Sequence, residues 1–274
     1  MADASLILTS TLQQLRKTRR LSQLELAFEL GVSQRHVSFV ESGRAQPSRR
    51  LLLAWLQVLA APLAQRNEAL LAAGYAPAFT AARLGEPLLA EADLALACLL
   101  EAHEPVPALV LDAEWNVLRM NRGALWLATT LVPWLQEALD SEAKGDLNML
   151  DLIAHPDGLA RRMTNLEDVG PRFLTLLRHE LVTTPRLLPR VQAYEALLRD
   201  ALGAATAAPA ERAHPPAPVL TSSFASPYGE LAFFSMFTTF GTPTDITLAS
   251  LRVEHLFPAD SATRKVLESE VSLV

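Results

Sequence analysis

Apolar positions fall into two regimes along this chain. From the N-terminus the spacing is helical: Leu8, Leu12 and Leu15 recur every three or four residues and predict a helix ending near Arg19. Ser22 stands three residues before Glu25, the arrangement in which serine and glutamate cap a helix reciprocally, and this second helix should run to Leu30. Gly31 then permits a sharp bend. Ser33 is placed to cap a third helix running from Gln34 to about Ser42 and stopping at Gly43. A fourth helix is expected over 51–60, and a fifth from Leu63 to Ala73, between Pro62 and Gly74.

After a connector at 77–87 the pattern becomes mixed. A helix is predicted over Leu88–His103, then a hairpin of two short strands, Val106–Leu111 and Trp115–Met120. Asn121 should cap a helix that carries Trp126 and reaches past Trp134. Helical segments follow at 147–153, 168–184 and 187–202, with an Ala/Pro-rich loop at 203–218. Val219–Ala225, Glu230–Phe240 and Thr244–Leu256 then read as strands of an antiparallel meander, and the last residues as a helix. In the middle strand, Leu231, Phe233 and Phe237 share one side while Phe234, Met236 and Phe240 share the other, so both faces need covering. The expected fold class is α+β: an all-α five-helix domain at 1–76, then a five-stranded antiparallel sheet with helices at 88–274.

Charge sharpens this division. The 274 residues carry a net −6, but residues 1–75 hold nine Lys/Arg against five Asp/Glu. That leaves +4 on the head and −10 on the remainder. A basic head on an acidic body is what a protein needs if only the head meets phosphate. No apolar run approaches a membrane span, and the N-terminus lacks a signal-peptide pattern, so a cytoplasmic protein is expected. Cys98 is the one cysteine, which excludes an internal disulfide and a cysteine metal cluster.

Two helices joined by a short glycine-containing turn form a DNA-binding supersecondary motif. Ala27, Gly31, Val37 and Val40 supply the small and apolar contacts that a steep crossing requires. The outer face of the third helix shows Gln34, Arg35, Ser38 and Phe39. Residues Leu21 to Arg44, followed by Pro47-Ser48 and an apolar helix, resemble the phage-repressor (Cro-type, XRE) helix-turn-helix family, whose head has a lambda-repressor-like fold. That resemblance implies a phosphate-contacting and buttressing residue at Gln23, base-facing residues at Gln34, Arg35 and Ser38, and a backbone neighbour at Arg44; Ser33, at the start of the same helix, is counted with these as a DNA-binding residue. Phe39 departs from the polar readers common at its position; it is a candidate for contact with a thymine methyl or for core packing.

The second half resembles the ligand-binding domain of MmyB-like transcription regulators. The likeness rests on Pro105–Ala124, Leu70–Pro77 and Asn148–Ile153. It implies a PAS-like pocket for a small apolar molecule, a fatty acyl chain foremost, as effector and not as cofactor. Candidate walls are Met120, Trp126, Phe173, Phe233 and Met236; candidate anchors for a carboxylate are Arg122, Arg178 and His179.

Catalytic patterns are missing. The histidines show no metal-ligand spacing, and there is neither a nucleophile elbow nor a Gly-rich phosphate loop. The expected protein is a non-enzymatic homodimer that binds operator DNA through its head and an apolar ligand through its body. The alternative is a constitutive repressor whose body serves only dimerisation.

Overall fold

The computed structural model describes residues 2–140, 147–203 and 219–271. The chain divides into two compact units, Met1–Arg83 with Thr242–Ala249, and Leu84–Gly241 with Ser250–Val274.

The N-terminal part of the first unit holds five helices among its described residues: α1 Ala2–Thr18, α2 Gln23–Leu30, α3 Gln34–Glu41, α4 Arg49–Val58 and α5 Leu63–Ala72. Their termini follow the capping chemistry of the sequence. Ser22 and Glu25 complete a reciprocal capping box at α2, and Ser33 and Ser48 cap α3 and α4. Gly31 ends α2 at φ 64°, a left-handed conformation that L side chains rarely adopt. Leu12, Leu26, Val37, Leu52, Trp55 and Leu56 form one buried core. Segment Thr242–Ala249 belongs to this unit through Asp245. The buried Asp245 carboxylate accepts hydrogen bonds from the Thr80 hydroxyl (2.6 Å) and the Ala82 amide (3.1 Å).

The second unit is a five-stranded antiparallel sheet with helices, in strand order β2-β1-β5-β4-β3. Its elements are α6 Ala90–Ala102, β1 Ala108–Leu111, β2 Val117–Met120, α7 Arg122–Leu131, α8 Trp134–Asp140, α9 Met149–Ala154, α10 Leu159–Arg162, α11 Leu166–Glu180 and α12 Leu188–Leu202. After these come β3 Thr221–Ser226, β4 Gly229–Thr238, β5 Arg252–Pro258 and α14 Ser261–Glu270, while the short α13 Ile246–Ser250 that precedes β5 in the chain falls, apart from Ser250, in the Thr242–Ala249 segment of the first unit. Asn121 caps α7 as its position suggested, accepting from the Ala124 amide at 2.9 Å.

Three expectations need correction. The helix that carries Trp126 stops at Leu131, because Pro133 cannot continue it, and Trp134 opens a separate helix. The last strand begins at Arg252 and not at Thr244. Asp245 accepts from the amides of Thr247 and Leu248, which starts a helical turn where residue types suggested a strand. The first strand starts at Ala108, two residues later than expected. Most of the predicted 203–218 loop lies outside the described residues.

Strand pairing sorts the sheet's side chains. Leu109 faces Glu254, Glu254 faces Phe237, and Leu256 faces Ser235, so these residues share one face. Val110, Val253 and Thr238 share the other.

Candidate functional site

The first candidate site is the outer face of α3. Val37 and Val40 point into the core, at 0% and 1% exposure. The helical period therefore turns Gln34 and Arg35 to solvent, and both are exposed. Ser38 and Phe39 are half-buried beside them. Phe39 does not simply join the core: the Arg35 guanidinium stands 5.1 Å from its ring centroid and that of Arg44 6.0 Å. The ring thus braces two cations on one surface. Ser33 is exposed, but its hydroxyl accepts from the His36 amide (3.2 Å) and holds the start of the helix.

A buried charge network lies behind this face. Glu41, the last residue of α3, is 2% exposed. Arg16 of α1 grips its carboxylate with two hydrogen bonds, at 2.7 and 2.8 Å. Gln23 donates from its side-chain amide to the same carboxylate (2.9 Å), and Gln13 donates to the Glu41 carbonyl (2.7 Å). Gln23 therefore buttresses α3 through Glu41. Not every basic residue of the head is directed outward: the Arg19 and Arg66 side chains donate to the carbonyls of Leu59 and Ala61. Lys17, Arg20, Arg35, Arg44, Arg49 and Arg50 remain exposed. Sequence reasoning missed Glu41, although its place four residues after Val37 put it on the inner face.

The second candidate site is a cavity of about 650 Å³ in the second unit. Its floor is the sheet face of Leu109, Ser235, Phe237, Glu254 and Leu256, and its walls come from α7, α9 and α11. Of the expected walls, Met120, Phe173 and Met236 line it. Trp126 and Phe233 are placed elsewhere: only 7% and 1% exposed, they belong to a core shared with Leu231 and Leu267.

The expected anchors also lie away from the cavity. Arg122 is exposed and reaches Glu104 at 3.7 Å, while Arg178 pairs with Glu195 at 3.1 Å. His179 is exposed, with its ring nitrogen 2.8 Å from the Thr175 carbonyl. The lining cation is instead Arg172, half-buried on α11 with no acidic partner among the described residues. The lining carboxyl is Glu254, which burial pushes above its ordinary value. Neither residue was singled out from the sequence; Glu254 carried a signal, as the one acid on the side of β5 that it shares with Arg252 and Leu256.

Trp115 forms part of the wall and is fixed from several directions. Its indole N–H donates to Glu180 (2.7 Å), and the Arg252 guanidinium lies 3.9 Å from its ring centroid. Arg252 donates in turn to Glu180 at 2.6 Å. Phe173 meets Trp115 edge-on at 5.3 Å. A rigid apolar wall of this kind preserves a cavity that softer side chains would fill. Tyr194 also lines it, and burial pushes its phenol well above the ordinary value. Among the described residues, no three His, Cys, Asp or Glu side chains are grouped to hold a metal.

An outward helix braced from behind in one unit and an apolar cavity in the other match the two families. The family model for the MmyB-like transcription regulator ligand binding domain matches residues 93–269, well over half of the chain. The chain is an MmyB-like transcription regulator. A helix-turn-helix model matches residues 12–65, which span the end of α1 to the start of α5. No curated protein matches the chain. This MmyB-like protein is thus a DNA-binding transcription regulator with a ligand-binding domain, and its cavity lies wholly within the region of the ligand-binding match. No helix among the described residues is long and apolar enough to cross a membrane.

Proposed function

We propose that this regulator is a cytoplasmic homodimer that binds operator DNA with two copies of α3 and senses an acyl-chain metabolite, a fatty acid foremost, in a PAS-like body. The single observation that carries the sensing half is the cavity. Its volume is in the range of small-molecule sites, and apolar side chains dominate its lining. A body built only for dimerisation has no need of a concave apolar space of this size.

Arg172 suits the carboxylate of a fatty acid, since it is the lining cation without an acidic partner among the described residues. On the DNA side, Gln34, Arg35 and Ser38 are the proposed base readers, and Phe39 offers its ring edge to a thymine methyl between the two arginines. Arg44 and the exposed arginines at the start of α4 suit phosphate. The strand order of the sheet supports the PAS-like reading.

Native mass spectrometry of the purified protein tests this. A dimer mass with an added acyl-chain mass on each subunit is expected. A monomer without bound lipid, whose melting temperature no fatty acid raises, contradicts it.

A further inference from the structure

The cavity floor is apolar except at one central place. Glu254 occupies the middle of β5, between Leu109 of β1 and Phe237 of β4, with Leu256 next on the same face. One carboxyl oxygen accepts from the Ser235 hydroxyl at 2.7 Å. Among the described residues Glu254 has no other side-chain hydrogen-bond partner, and the residue lines the cavity. The nearest cation on the floor side, Arg252, is taken by Glu180. Glu254 is half-buried where it lines the cavity, and its desolvation favours the protonated form. A protonated carboxyl presents an O–H donor to whatever fills the space.

An unsubstituted hydrocarbon chain lying on this floor would displace the water that can pair with Glu254 and would return no hydrogen bond. A chain with an oxygen at that point would restore it. We propose that the cavity selects a fatty acyl chain carrying an uncharged, hydrogen-bond-accepting oxygen along its length, a hydroxyl or keto group, which the Glu254–Ser235 pair recognises. This rests on the acyl-chain reading above and narrows it. Arg172 and Glu254 then have separate tasks, the first at the charged end of the ligand and the second within the chain. A site that hydrogen-bonds a ligand oxygen discriminates against the analogue lacking it, because its own buried group is then left unpaired.

The test is a calorimetric titration of the full chain with palmitic acid and with its monohydroxy and mono-keto positional isomers. At least one isomer should bind roughly tenfold or more tightly than palmitic acid. Glu254→Leu, close in shape and apolar, should erase that margin, so that palmitic acid and its oxygenated isomers bind alike. Glu254→Gln keeps an N–H donor and should retain most of the margin. It also serves if the leucine variant does not fold. Palmitic acid binding as tightly as every isomer, or a margin that survives in Glu254→Leu, overturns this proposal alone. Failure of palmitic acid and all isomers to bind the wild type overturns the acyl-chain reading together with it.

Discussion

Arg16 and Glu41 form a two-pronged ion pair between the first helix and the end of α3, at 2.7 and 2.8 Å, in which the carboxylate is 2% exposed. The pair fixes the angle at which α3 leaves the bundle. Glu41 also accepts from Gln23 at the start of α2, so three helices meet at one carboxylate. Removing one partner of a buried pair strands the other charge. Glu41→Ala should therefore destabilise the head by about 3–5 kcal/mol, read by chemical denaturation. An effect no larger than that of an exposed pair would show that the network adds nothing.

The same carboxylate sets a pH dependence. Burial alone would raise its pKa, but hydrogen bonds from Arg16 and Gln23, with the charges of Arg16 and Lys17, outweigh burial and hold it below the ordinary value of 4.5. In the unfolded chain the group takes up its proton at the higher, ordinary pH. The stabilisation is thus fully present above that value and is lost as pH falls through the lower folded value. Amide-exchange protection at Leu26 and Val37 should weaken over that acid window in the wild type. In Glu41→Gln the weakening should be flatter.

Contacts on the outer face of α3 should separate into two kinds. Arg35→Ala should relax the preference between operator variants, at about 1–3 kcal/mol for a lost base contact. Arg44→Ala should weaken all sequences nearly alike and reduce the salt slope of binding by about one. Fluorescence anisotropy over a salt series with matched and mismatched duplexes distinguishes them. An Arg35→Ala protein with unchanged sequence preference would remove that side chain from the readout.

Filling the cavity should abolish ligand binding without harming the head. Ala128 of α7 is half-buried and lines the space. Ala128→Trp should bind no acyl chain by calorimetry and yet retain operator affinity. A variant that still binds the chain as the wild type does would place the ligand elsewhere.

Much of the head was legible in the sequence because its signals are local. Ser22 with Glu25, Gly31 and Ser33 define two helix ends and a bend within a dozen residues, and the exposure of Gln34 and Arg35 follows from the burial of Val37 and Val40. The strands of the body were legible for a similar reason, since alternation on β4 placed Phe233 and Phe237 on one face. What could not be read locally was the role of each apolar residue. Trp126 and Phe233 are filled core while Met120 and Phe173 are cavity wall, and residue type alone does not distinguish the two. The anchors failed because Arg122 and Arg178 find acids seventeen or more residues away, in Glu104 and Glu195. Such long-range pairing is set by helix packing, which leaves no trace in local spacing.

The central claim is that a ligand in the cavity alters what the helix-turn-helix does. The most direct test is the operator Kd of the wild type and of Ala128→Trp, each with and without saturating palmitic acid or its best-binding oxygenated isomer. The account predicts a change of about 5- to 150-fold in the wild type and none in the variant. An unchanged wild-type Kd, with the ligand shown to be bound, would contradict it.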